Sequence, residues 1–265
     1  MAEYVIYYSR HGKCSCSVAI TEKQTMGDSM LRYVGRYNSA SAIDKTTIDP
    51  VTVNVKRLFT DDRWKGYTAD DFILVMPTEE FSSSKGRSGH MQGTTTEWFK
   101  LSNPELTYDP TTGDLKVKGF LATYHNSAGG GALVTSNMDI FLFPKSVRNS
   151  MASSGRYKDL GSFNSQNEIN VGGINNFDIE NLVYIPKDSS VDTGYKTYGS
   201  EAWSDSCGFQ TTSPASLSGT TYKTAGLQTY HQINGTRYYD ISYNLVYAEG
   251  IKNAYKGNYS GWQNI

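Results

Sequence analysis

Neither sign of charge dominates this sequence, and that removes the simplest electrostatic functions. Lys and Arg number 25, Asp and Glu 26, and the net charge is -1. A chain so balanced has little field with which to hold a nucleic acid or an anionic membrane, so neither is expected as a partner. Long apolar runs are also missing. The longest, FILVMP at Phe72–Pro77 and IFLFP at Ile140–Pro144, are strand-sized and far short of a bilayer span, so no membrane insertion is expected. Cysteine is scarce: three residues, Cys14, Cys16 and Cys207, an odd number that argues against a closed disulfide framework. Cys14 and Cys16 make one close pair with no second pair to complete a four-ligand zinc site. No metal and no cofactor are expected, and reduced thiols fit a protein made in the cytoplasm. The opening residues MAEYVIYYSRHGK lack the apolar core and small-residue cleavage site of a signal peptide, so no signal peptide is expected. The sequons at Asn234 and Asn258 are then not expected to carry glycans.

What the chain has in quantity is 25 Gly and 20 Tyr, with abundant Ser, Thr and Asn. Tyr and Thr suit strands, and Gly, Asn and Ser suit turns. Period-two alternation recurs. VTVNV places Val51, Val53 and Val55 on one face, and RYYDISYNLVY places Tyr239, Ile241, Tyr243, Leu245 and Tyr247 on one face. ENLVYIPK at Glu180–Lys187 and DIFLFPK at Asp139–Lys145 are apolar on both faces, which places them deep in a sheet or at an interface. Helical spacing is confined to Met30, Tyr33, Val34 and Tyr37, after a possible cap at Asp28 or Ser29, and to one turn in TTTEWFKL at Thr94–Leu101. The fold class expected is all-β, with one or two short helices, as a sandwich or as fibre-type β domains. Composition divides the chain into a β-rich unit over 1–80, a flexible loop or linker over 81–97, a hairpin-rich connecting and interface region over 98–145, and a C-terminal β domain over 146–265.

VIYYSRHG, Val5–Gly12, resembles the start of the histidine phosphatases, in which a strand runs into Arg-His-Gly. The resemblance implies His11 as nucleophile and Arg10 as phosphate ligand. That chemistry also needs a second histidine and an acid about the phosphate. His231, His90 and His125 lack the strand-then-His-Gly setting, Lys13 stands where the family prefers Glu or Gln, and no α/β alternation is present. The segment reads better as a strand ending in a turn at Gly12, and no enzyme is expected. SSSKGRSGH has its lysine before the glycine and no helix after it, so it is a loop rather than a phosphate cradle.

The most informative stretch is NPELTYDPTTGDLKVKGFLA, Asn103–Ala122. Leu106 and Tyr108 share a face of one strand, Leu115 and Val117 a face of the next, and Asp109–Gly113 makes the turn. Gly119 permits a close approach. Residues 105–119 resemble segments of tailed-bacteriophage fibres and related virion proteins, where a strand, a P-x-T-G turn and a second strand ending in Gly build intertwined stalks. The resemblance implies a structural virion protein, either a tail fibre or a head or tail decoration protein. It would lie in the virion, assemble with itself as a homotrimer and with other virion proteins, and attach to a host surface. The two-sided apolar strand Ile140, Phe141, Leu142 and Phe143 is the expected oligomer interface. The alternative is a lectin-like carbohydrate-binding module. Its aromatics, Tyr195, Tyr198 and Trp203 in DTGYKTYGSEAWSDS, are candidates to contact a host-surface glycan or a partner.

Overall fold

The computed structural model describes residues 7–8, 14–15, 31–37, 41–43, 45, 47–90, 95–126, 131–189, 191–198, 202–233 and 236–256. The chain is an all-β protein; among the described residues it is built almost wholly from antiparallel sheets, with two short α-helices, Lys145–Ser153 and Ile251–Lys256.

One half of the molecule is a sandwich. Its five-stranded sheet runs Val191–Tyr198, Thr95–Ser102, Leu121–Asn126, Gly131–Thr135, Ser41–Ile43. The facing four-stranded sheet runs Thr236–Asp240, Gly226–Ile233, Ala202–Ser213, Ser83–His90. Alternation sorts the residues: Phe99 and Leu101, Ala122 and Tyr124, Cys207 and Phe209 point inward and are at most 1% exposed. The Cys207 thiol sits 3.6 Å from the carbonyl of Ala122 on the opposite sheet. Gly119 lies where the backbone of Ser136 comes so close that a Cβ would stand 2.5 Å from its carbonyl oxygen, as the sequence anticipates.

The other half is a layer made of two three-stranded sheets. One runs Arg32–Tyr37, Met138–Leu142, Phe72–Val75, and the other Tyr157–Phe163, Tyr243–Ala248, Leu182–Pro186. They meet at one bridge, where the Met76 N–H donates to the Tyr184 carbonyl at 2.7 Å. The next pair along would be Leu74 with Pro186, and proline has no N–H to donate, so the ladder stops there.

Residues 105–118 form the expected hairpin. Glu105–Asp109 pairs with Asp114–Lys118, and Asp109 faces Asp114 across a four-residue loop. Gly113 has φ 78° and donates its N–H to the Asp109 carbonyl at 2.8 Å, a conformation that favours glycine. The hairpin gains its third strand, Val51–Asn54, from the same chain.

Several expectations change. The helix expected across Met30–Tyr37 is instead the strand Arg32–Tyr37; its Val and Tyr residues suit a sheet, and Met138–Leu142 supplies the ladder. Thr95–Ser102 is likewise a strand, not a helical turn. The linker expected over 81–97 contains the strand Ser83–His90 and opens the next. Strands from 1–80, 98–145 and 146–265 share the five-stranded sheet, so the composition-based units are interleaved. Tyr239 and Tyr243–Tyr247 lie on two different strands, with Ile241 between them.

The strand Met138–Leu142 is apolar on both sides because both are covered within this chain. Ile140 and Leu142 face the main core. Phe141 and Phe143 face a second core, with Ile73, Val75, Val183, Val246, Met151 and Ile251, the last two from the helices. Burial by sister subunits is therefore not needed to explain this strand, and Ile140–Phe143 is not a free surface for an oligomer.

Candidate functional site

A cavity of about 620 Å³ lies beside the Met76–Tyr184 bridge, on the side of Pro77–Glu80 and Ile179–Leu182. Its floor is an ion pair placed by the pairing of Arg32–Tyr37 with Met138–Leu142, which sets Arg36 opposite Asp139. The Asp139 side chain is 1% exposed and accepts two bonds from Arg36, at 2.7 and 2.9 Å. Tyr33 donates a third at 3.1 Å. Burial, and then the Asp139 charge, push the Tyr33 hydroxyl far above its ordinary pKa. Arg36 also reaches outward to pair with Glu80 on the rim.

The walls are Val75–Glu80 on one side and Leu182–Tyr184 on another, with Pro214, Ala215 and Tyr222 closing the third. The hydroxyls of Tyr184 and Tyr222 share a hydrogen bond of 2.6 Å, and the Ala225 N–H donates to Tyr184 at 2.9 Å. Tyr184 and Tyr222 are thereby locked, and burial holds Tyr184 well above the ordinary phenol range and lifts Tyr222 to about 12. Four carboxylates line the cavity, Asp139, Glu79, Glu80 and Glu180, against one guanidinium, Arg36. Lys252 pairs with Glu180 and, at 2.9 Å, with Asp178.

A second polar cluster lies inside the sandwich, toward the end where Ser83–His90 leads to Thr95–Ser102. Glu97 and Tyr124 are 0% exposed, Asp205 3% and His231 5%. Phe99 stacks on His231 at 5.0 Å and on Tyr239 at 5.6 Å, and Asp205 pairs in register with Arg87. Burial and the Asp205 charge hold the Tyr124 hydroxyl far above its ordinary pKa. These residues are enclosed between the two sheets.

The residues singled out from the sequence fall elsewhere. Tyr195 and Tyr198 lie on Val191–Tyr198, and Trp203 lies on Ala202–Ser213, paired with Gly89. Tyr198 pairs with Thr95. Their side chains are outside the described set, as are His11, Arg10, Cys16 and Trp262. Tyr7–Tyr8 pairs with Cys14–Ser15. Cys207 is buried. Among the described residues no group of His, Cys, Asp or Glu is arranged to hold a metal, and no helix is long and apolar enough to cross a membrane. Sequence reading missed Arg36 and Asp139; 103 residues separate them, and only the sheet register joins them.

The buried acids make the fold sensitive to alkali. Burial raises the Cys207 thiol from 9.0 to about 12, and Tyr222 from 10.0 to about 12. Both are neutral when protonated, so the folded state keeps protons that the unfolded chain releases. Their contribution is complete below pH 9 and falls between pH 9 and 12, by about 1.4 kcal/mol per pH unit for each group past its unfolded pKa. Melting temperature followed from pH 8 to 11 is expected to drop above pH 9, and Cys207→Ala to flatten the curve between pH 9 and 10. An equally steep fall in that variant contradicts the assignment.

Comparison with protein-family models, with curated proteins and with solved structures finds no match to this chain.

Proposed function

We propose that this chain is a non-catalytic structural protein of a tailed-phage virion, a fibre or a decoration protein, acting through assembly. The observation that carries the reading is the hairpin at 105–118. Its sequence resembles virion stalk segments, and its tip, Asp109–Thr112, is exposed, where a neighbouring protein can reach it. Self-assembly as a trimer rests on the same resemblance, with the interface away from Ile140–Phe143. Particles purified from the source organism, analysed by mass spectrometry, are expected to contain this chain in stoichiometric amount. Its presence in the lysate and absence from the particles refutes the proposal.

A carbohydrate-binding role is the second reading. It is favoured by the outer face of the four-stranded sheet, where Tyr238 is 53% exposed and its ring lies 6.4 Å from that of Tyr230. Gln228 and Gln232 on the neighbouring strand add amides suited to sugar hydroxyls.

A further inference from the structure

We propose that the outer face of the four-stranded sheet binds an uncharged oligosaccharide, laid across the strands over Tyr238 and Tyr230. The proposal rests on the carbohydrate reading above and narrows it to one class of sugar. The register brings four residues into one row: Tyr238 stands opposite Tyr230, Tyr230 opposite Gly208, and Gly208 opposite Ser84. Residues directly opposite one another share a face. Their chain neighbours Cys207, Phe209 and Thr229 are buried in the sandwich, so this row points outward. Tyr238 is 53% exposed, the highest among the large hydrophobic side chains described. At Gly208 a Cβ would stand 2.3 Å from the Ser83 carbonyl oxygen, so close strand packing keeps the middle of the row free of a side chain and flat.

The rows on either side carry amides and hydroxyls. Gln228 faces Gln210 on one side, and Gln232 faces Ser206 on the other. Gln228 donates to Asp240 at 2.7 Å, and Ser206 donates to Gln232 at 3.3 Å. Both amides are thereby held from strand to strand, and each keeps further donor and acceptor capacity. An amide donates and accepts, as a sugar hydroxyl does, and the apolar face of a pyranose stacks on a phenol ring. Adjacent strands lie about 4.8 Å apart, close to the rise of one sugar in an extended chain, so a chain laid across them meets each strand in step. Charge then selects among sugars. Among the described residues of these three rows Asp240 carries the charge and none is a cation. A carboxylate or sulfate on a glycan would find no counter-charge in them and would face Asp240.

The test is isothermal calorimetry on the full chain with uncharged and charged probes. Maltohexaose, cellohexaose, mannohexaose and chitohexaose are the uncharged ones; hexagalacturonate and sialyllactose are the charged ones. At least one uncharged probe is expected to bind at millimolar concentration or below, with an affinity that salt leaves unchanged. That probe is expected to bind Tyr238→Ala about tenfold more weakly and Gln232→Ala about fivefold more weakly. Tyr238→Phe is expected to retain binding, because stacking needs the ring and not the hydroxyl. Melting temperatures are expected to stay unchanged in all three variants, since both side chains are exposed. Tighter binding of a charged probe, or undiminished binding by Tyr238→Ala, overturns the proposal and leaves a carbohydrate site of another kind or place. No heat from any probe overturns the carbohydrate reading along with it.

Discussion

Arg36→Met is expected to lower the stability of this protein by about 3–5 kcal/mol. The cost arises from what the substitution leaves behind. Asp139 is 1% exposed and draws two of its hydrogen bonds from Arg36. Without the guanidinium a carboxylate remains inside the fold with Tyr33 as its remaining side-chain donor among those described above. An uncompensated buried charge is far costlier than the net worth of the pair that held it. For a chain of this size the melting temperature is expected to fall by roughly 6–20 °C. The double variant Arg36→Met/Asp139→Leu is expected to regain most of the loss, because it removes the stranded charge as well as its partner. Differential scanning calorimetry on wild type, single and double variants checks both statements. A single variant within about 0.5 kcal/mol of wild type contradicts the burial of this pair.

Phe141→Ala is expected to cost a similar amount, about 3–5 kcal/mol. The ring is 0% exposed and packs in the second core, under the helices Lys145–Ser153 and Ile251–Lys256. Phe143, two residues on, is also 0% exposed and shares that core. The apolar pattern alone suggests a division of labour, one ring serving the subunit and the other a neighbour. The structure gives both to the same chain, so Phe143→Ala should destabilise alongside Phe141→Ala. Chemical denaturation measures the loss, and light scattering shows whether molar mass changes at the same time. A variant that keeps its stability but changes its mass places the ring at a subunit contact instead.

The parts of the fold legible in the sequence are those whose information is local. The hairpin at 105–118 carries its own turn: Gly113 takes positive φ, and Asp109 caps the turn by accepting from the Thr111 N–H at 2.7 Å. Strands with clean alternation were legible for the same reason. The helix Lys145–Ser153 was not, because Pro144 before it offers no side-chain cap. Its capping acceptor is Asp71, which takes the Lys145 N–H at 2.9 Å from 74 residues away. Arg32–Tyr37 misleads in the opposite direction. Tyr33, Val34 and Tyr37 fall at helical spacing by coincidence, while the strand bends at Gly35, φ 154°, beside a register shift in its partner. The cavity was illegible because its lining is brought together from six separate segments, among them Arg36, Val75–Glu80, Asp139 and Tyr222.

The interleaving of strands has a consequence for how the chain is made. Among the described residues Ser83–His90 has one ladder partner, Ala202–Ser213, and Thr211 reaches back across 133 residues to hydrogen-bond the carbonyl of Thr78. At a translation rate of 5–20 residues per second, that span takes about 7–27 s to synthesise. During that interval the edge Ser83–His90 leaves the ribosome unpaired, with Phe81 and the apolar run Phe72–Val75 close behind it in sequence. So much long-range pairing implies slow closure of the sheets. A truncation before residue 202 therefore gives a fragment in which Ser83–His90, Tyr157–Phe163 and Leu182–Pro186 have lost the strands they pair with.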